Sequence, residues 1–122
     1  MAMTLSGITI DCVDPRRLAQ FWSAATGFVV QSDFDGDFVI LLPEGQEPGQ
    51  GVYLSLQRAE EPRTGKNRAH PDFHVDDRTA TVTRLQGLGA SVVGEHNIPG
   101  MLSWTVLKDP EGNEFCVAQA DS

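Results

Sequence analysis

The chain has 122 residues, 17 acidic against 9 basic side chains, a formal net charge of −8 and 40% hydrophobic residues. That length fits one domain with a core large enough to stand without disulfide or metal staples. The acidic balance repels phosphate backbones and anionic membranes, and the longest apolar runs, such as 38–42, are far too short to span a bilayer, so neither nucleic acid nor membrane is an expected partner. The start, Met1-Ala-Met-Thr-Leu5, lacks the basic and apolar segments of a signal peptide. Two cysteines, Cys12 and Cys116, lie near opposite ends. The sequence leaves a disulfide between them open, but nothing else suggests a secreted scaffold, so a cytoplasmic protein with reduced thiols is expected.

Residues 5–13 alternate, with Ile8, Ile10 and Cys12 on one face and Thr9 and Asp11 on the other, which predicts a half-buried strand. Asp14 then reads as an N-cap and Pro15 as the first helical residue. Leu18, Phe21, Trp22 and Ala25 form the apolar stripe of a helix, and Gly27 ends it. Strands follow at 28–34 and 37–42 around the hairpin signal Asp35-Gly36, then a loop over 43–51, then a strand at 52–57. A polar connector occupies 58–68.

The second half repeats this order. Pro71, Phe73 and Val75 form one face of a strand, and His70, Asp72 and His74 the other. Asp76-Asp77 caps a helix with a Val82, Leu85, Leu88 stripe, and Gly89 stops it. Strands are predicted at 91–95, 103–108 and 113–119, with an irregular segment at 97–102 and a turn at Asp109-Pro-Glu-Gly112. Val13-Asp14…Gly27 and Val75-Asp76…Gly89 are the same pattern 62 residues apart. The expected fold is therefore α+β: two β-α-β-β-β modules, about 4–57 and about 69–120, within a single domain over 1–122. Their sheets should form an incomplete barrel-like curved surface around a cleft, with the helices outside. Because the apolar face of each first strand packs on its helix, Thr9 and Asp11 with His70, Asp72 and His74 should line that cleft.

Several residues carry the further resemblance: Val13-Asp14-Pro15…Phe21-Trp22…Gly27-Phe28, His70-Pro-Asp-Phe-His-Val-Asp-Asp77, Leu88-Gly89-Ala90 and Asp109-Pro-Glu-Gly-Asn-Glu-Phe115. In this order they resemble the vicinal oxygen chelate superfamily of glyoxalase I, bleomycin-resistance proteins and extradiol dioxygenases. The chain is most similar to its small glyoxalase-like branch, through Asn67-Arg68-Ala69-His70 and Trp104. The resemblance implies paired β-α-β-β-β units, usually a homodimer, and in metal-dependent members a divalent ion held by His or Glu from the first and fourth strands of each unit. Those positions here are Gly7, Leu54 or Ser55, His70 and Cys116. One ligand type and one thiol out of four argue against a metal, and no cofactor is expected. The alternative is a divalent ion on His70 and Cys116.

On this reading, His70 is the acid/base, with Asp72 or Asp11 orienting it. His70 and His74 are four apart on an extended strand, about 13 Å, too far to share an ion. Cys116 and Glu114 alternate onto the cleft face. Trp104 and Tyr53 could stack on or hold a small ligand, and Arg68 could hold a ligand carboxylate at the rim. His96 is given no role. Three functions fit: a metal-independent binder or lyase/isomerase-type enzyme acting on a small metabolite, a drug-sequestering protein, or a metal-dependent lyase or dioxygenase in which an ion on His70, Cys116 and an acid polarises a substrate oxygen.

Overall fold

The computed structural model describes residues 5–47, 50–61, 65 and 69–120. The chain divides within 58–68 into two compact units. Each is a β-α-β-β-β module, so the repeat read in the sequence is a repeat of architecture.

In the first module, β1 (Gly7–Cys12) leads into α1 (Pro15–Thr26), followed by β2 (Phe28–Phe34), β3 (Phe38–Pro43) and β4 (Tyr53–Arg58). The strands form a mixed sheet in the order β1-β4-β3-β2, with β1 and β4 parallel and the other pairs antiparallel. Asp14 begins the helix as expected, its side chain accepting from the Arg17 N–H. Gly27 ends it in the left-handed region, at φ 79°, where a Cβ would be strained. Leu18, Ala19, Phe21 and Trp22 are buried, with Phe21 and Trp22 in edge contact at 5.1 Å. They pack on the sheet face carrying Ile10, Cys12, Leu54, Leu56, Val39 and Leu41. Full burial of each such side chain contributes about 1.5–3 kcal/mol.

The second module contains β5 (Asp72–His74), α2 (Arg78–Gly87), β6 (Ser91–Ile98), β7 (Leu102–Lys108) and β8 (Glu114–Ala120). Its sheet runs β5-β8-β7-β6, with the same mix of one parallel and two antiparallel pairs. Asp77, not Asp76, caps α2, accepting from the Ala80 N–H. Val82 and Leu85 are buried, but Leu88 lies at the C-cap and is 37% exposed, so the predicted stripe is shorter by one turn. Phe73 meets Phe115 edge-on at 6.1 Å in this core.

The segment 97–102, expected to be irregular, is a hairpin. β6 continues through Asn97 and Ile98, which pair with Ser103 and Leu102. Gly100 takes a positive φ, 74°, at the turn. Trp104 lies within β7, paired with His96 on one side and Ala118 on the other. Between β7 and β8, Asp109 is buried. Its Oδ1 accepts from the N–H groups of Glu111 and Asn113, and both of its carboxylate oxygens accept from Asn113 Nδ2. That network closes the predicted Asp-Pro-Glu-Gly turn. Cys12 and Cys116 are both buried free thiols.

Candidate functional site

Register decides which side chains share a face. In the second sheet Asp72 pairs with Cys116, and Cys116 with Val106. One row along, His74 pairs with Ala118, Ala118 with Trp104, and Trp104 with His96. Partner residues project to the same side of a sheet, and alternation places these two rows on one face. The opposite face carries Phe73, Phe115, Val117 and Leu107 toward α2. The pairing places Asp72, His74, Glu114, Cys116 and Trp104 on one face, and His70, just before β5, reaches it beside Asp72 and Cys116.

Two groups stand out on that face. The first is His70, Asp72 and Cys116, whose imidazole nitrogen, carboxylate oxygen and Sγ all lie within 4.8 Å of one another. His70 Nε2 is 3.3 Å from Asp72 Oδ1. Both side chains are open to water, whereas Cys116 is only 5% exposed and is fixed in mid-strand, its N–H donating to the Pro71 carbonyl. The second group is an aromatic platform: the His96 and Trp104 rings stack at 5.4 Å and 25°. Sequence reading missed His96 because it ended β6 too early. Once the strand runs to Ile98, His96 is the cross-strand partner of Trp104. Trp104 and Cys116 are diagonal neighbours, about 7–8 Å apart by sheet geometry, with the small Ala118 between Trp104 and His74.

The remaining predicted residues are placed as follows. His74 is exposed at the end of β5, one row from the His70 group. Glu114 is buried at the start of β8 and pairs in register with Lys108, so it is not the freely exposed strand residue that alternation allowed. Arg68 lies outside the described residues. Thr9, Asp11 and Tyr53 belong to the first module. Asp11 is exposed beside Gln57, and Thr9 Oγ1 is 2.8 Å from the buried Ser55 hydroxyl.

The two modules can be compared position by position. Counted from the helix caps, Gly7 and Thr9 correspond to His70 and Asp72, and Ser55, the register partner of Thr9, corresponds to Cys116. The first module therefore has a hydroxyl pair, closed on itself, where the second has a carboxylate and a thiol. At Gly7 the ring of its partner Tyr53 fills the space a side chain would need. The superfamily's four-position metal centre does not fit this chain: the first module offers neither an imidazole nor a carboxylate at its two positions, and Tyr53 occupies one of them.

At the edge of the first module an ion pair shifts ionisation. Asp33 is held below its usual range, first by its bond to Arg16 and then by the Gly36 N–H; Arg16 is raised, first by the same bond.

Solved structures share the fold. A glyoxalase/bleomycin resistance protein/dioxygenase family enzyme from Burkholderia phytofirmans superposes with a TM-score of 0.77 at 20% identity, covering 98% of this chain and 100% of that one. A fosfomycin resistance protein from Listeria monocytogenes, complexed with Mn(II) and a dihydroxypropylphosphonic acid, gives 0.79 at 15% identity over 96% and 90%. TnmS3, an antibiotic binding protein from a Streptomyces species, gives 0.70 at 22% identity over 99% of both chains. No curated protein sequence matches the chain. A family model described as a glyoxalase-like domain matches residues 7–118, and with the two β-α-β-β-β modules this shows that the chain belongs to the glyoxalase-like family of the vicinal oxygen chelate superfamily.

Proposed function

We infer that this glyoxalase-like protein binds a small molecule on the polar face of its second sheet and moves a proton on it through His70, without the superfamily's metal centre. The observation that carries the reading is the His70–Asp72 pair, 3.3 Å apart, on the same face as the His96–Trp104 stack. A flat portion of the ligand lies on Trp104, and a polar arm reaches along the same face toward the imidazole. Asp72 faces Nε2 and, as a carboxylate, only accepts, so it favours the tautomer with the proton on Nε2. Nδ1 then presents the lone pair that takes a proton from the ligand and returns it at a neighbouring atom, which is isomerase- or lyase-type chemistry. A positioned base of this kind contributes about 10²–10⁴-fold in rate.

The test is a thermal-shift screen of planar carbonyl metabolites and aromatic antibiotics, since any ligand of the native state raises stability by mass action. A ligand found this way is then offered to His70→Ala. The variant should bind it and lose turnover by about 10²–10⁴-fold. Full activity in His70→Ala would sink the reading.

The aromatic platform favours a second reading, sequestration without chemistry, and the likeness to an antibiotic binding protein is in keeping with it. In that case Trp104→Ala weakens binding by roughly two- to thirteenfold, the worth of about 0.5–1.5 kcal/mol of stacking. His70→Ala then protects cells against the drug as well as the parent does.

The protein is further proposed to act as a homodimer in the cytoplasm. The family resemblance supports the first part and the two free thiols the second. Sedimentation equilibrium should return twice the 13.3 kDa chain mass, and a single-chain mass would reject the dimer. No helix of the described residues is long and apolar enough to cross a membrane.

A further inference from the structure

We propose that the polar face of the first module is a second ligand site, and that it takes an aromatic ring carrying an ammonium arm. The inference goes beyond the His70 reading and uses no residue of the second module.

Register carries it. In the first sheet Asp11 pairs with Gln57, Gln57 with Phe38, and Phe38 with Phe34, one residue from each of the four strands. The neighbours Cys12, Leu56 and Val39 are buried toward α1, so by alternation this row lies on the side away from the helix. It is open to water: Asp11, Gln57 and Phe34 are exposed and Phe38 is half-buried. Phe34 is 58% exposed. Its ring centroid is 6.2 Å from that of Phe38, with the two planes tilted by 48°.

The corresponding row of the second module is His74, Ala118, Trp104 and His96. Phe34 and Phe38 therefore stand where His96 and Trp104 form their stack, and Asp11 stands where His74 does. Each module keeps an aromatic pair across β2–β3 or β6–β7, with different side chains, on the face that its helix does not cover. Packing of the helix explains neither pair. The polar ends of the two rows differ: an amide and a carboxylate in the first module, a methyl group and an imidazole in the second.

The ligand chemistry follows from that row. Phenyl faces attract a cation through the ring quadrupole, and Asp11 attracts it through a full charge. None of the ion pairs among the described residues uses Asp11; Arg16 and Arg58 bind Asp33 and Asp37 instead. The chain's net charge of −8 further favours cations near its surface. Two strand spacings, about 10 Å, separate Asp11 from Phe38. A ring resting on the phenylalanines thus reaches the carboxylate through a short alkyl arm that passes over Gln57.

The test uses the whole chain, isotopically labelled, titrated at neutral pH with phenylbutylammonium and separately with neutral phenylbutanol and anionic phenylbutyrate. The amine should move the amide signals of Asp11, Gln57, Phe34 and Phe38. It should bind roughly three- to fivefold more tightly than the alcohol, and this advantage should shrink as salt is added. The acid should bind more weakly than either. Asp11→Asn should lower the affinity for the amine to that for the alcohol, and Phe34→Ala should weaken the amine by roughly two- to fivefold. Both changes are at exposed side chains, and an unaltered melting temperature shows that each variant keeps the fold. Trp104→Ala should leave amine binding as it is. Equal affinity for amine and alcohol, signals that move only in the second module, loss of amine binding in Trp104→Ala, or an Asp11→Asn variant that binds like the parent overturns the proposal. The His70 reading is tested by turnover in His70→Ala, so failure of one reading is told apart from failure of the other.

Discussion

Asp109 shows how much one buried carboxylate can organise. Its side chain is buried and accepts from two backbone N–H groups and one side-chain amide, which leaves three donors without a partner if it is truncated. Asp109→Ala should therefore cost about 1–3 kcal/mol, and Asp109→Asn less, since the amide oxygen can still serve the backbone donors. Urea denaturation of the three proteins would measure the order. Features of this local kind were legible: Asp14 as a cap, Asp109 as a turn residue and Gly27 as a stop all act within four residues of themselves. His96 was not, because its partner Trp104 is set by strand register, and register depended on where the hairpin turned. Cys116 was intermediate. The family resemblance put it at a ligand position, but only the parallel pairing of β5 and β8 shows that it is the register partner of Asp72.

At the scale of elements, duplication reaches further than the caps and glycines suggested. Arg16 on α1 binds Asp33 on β2, and Arg78 on α2 binds Glu95 on β6, with the same spacing of 17 residues. The two pairs are 62 positions apart, as are the bulges at Gln31 and Val93. The stretch from first strand to cap is instead offset by 63, because Pro15 has no counterpart between Asp77 and Arg78. That single extra residue is why His70, rather than Ala69, matches Gly7.

The Arg16–Asp33 pair also gives a pH dependence. Asp33 has a folded pKa below the ordinary carboxylate value of 3.8, through the Arg16 bond and then the Gly36 N–H. A depressed acid stabilises the fold above its unfolded pKa, and the contribution fades as pH falls through the folded value. Both side chains are solvated, so the effect is small. Asp33→Asn should melt slightly below the parent at neutral pH, and the gap should close at pH values below 3.8. A gap that widens toward acid would contradict this assignment of the pair.

For the molecule as a whole, the two halves share a scaffold and differ in chemistry. The sequence repeat announced the scaffold because caps, stripes and turns are periodic and local. The candidate site lay in departures from the repeat, at Gly7 against His70, Thr9 against Asp72 and Ser55 against Cys116. Those differences acquire meaning only when strands distant in sequence are aligned. One half closes its polar face with a hydroxyl pair and a tyrosine ring, and the other carries an exposed imidazole–carboxylate pair beside a buried thiol.

The paired bulges have a consequence for solubility. β2 and β6 each lie at the end of their sheet's strand order and expose Val29, Val30 and Phe34, or Val92, Val93 and Ile98. A straight apolar strand in that position is a template for another chain to extend. The extra residue at Gln31 or Val93 breaks the ladder and twists the strand, which blocks such templating. Deleting Val93 would restore a regular ladder along β6, and the resulting protein should form fibrils, read by thioflavin fluorescence, under conditions in which the parent stays in solution. In each half, then, the irregular residue guards the chain against its own copies.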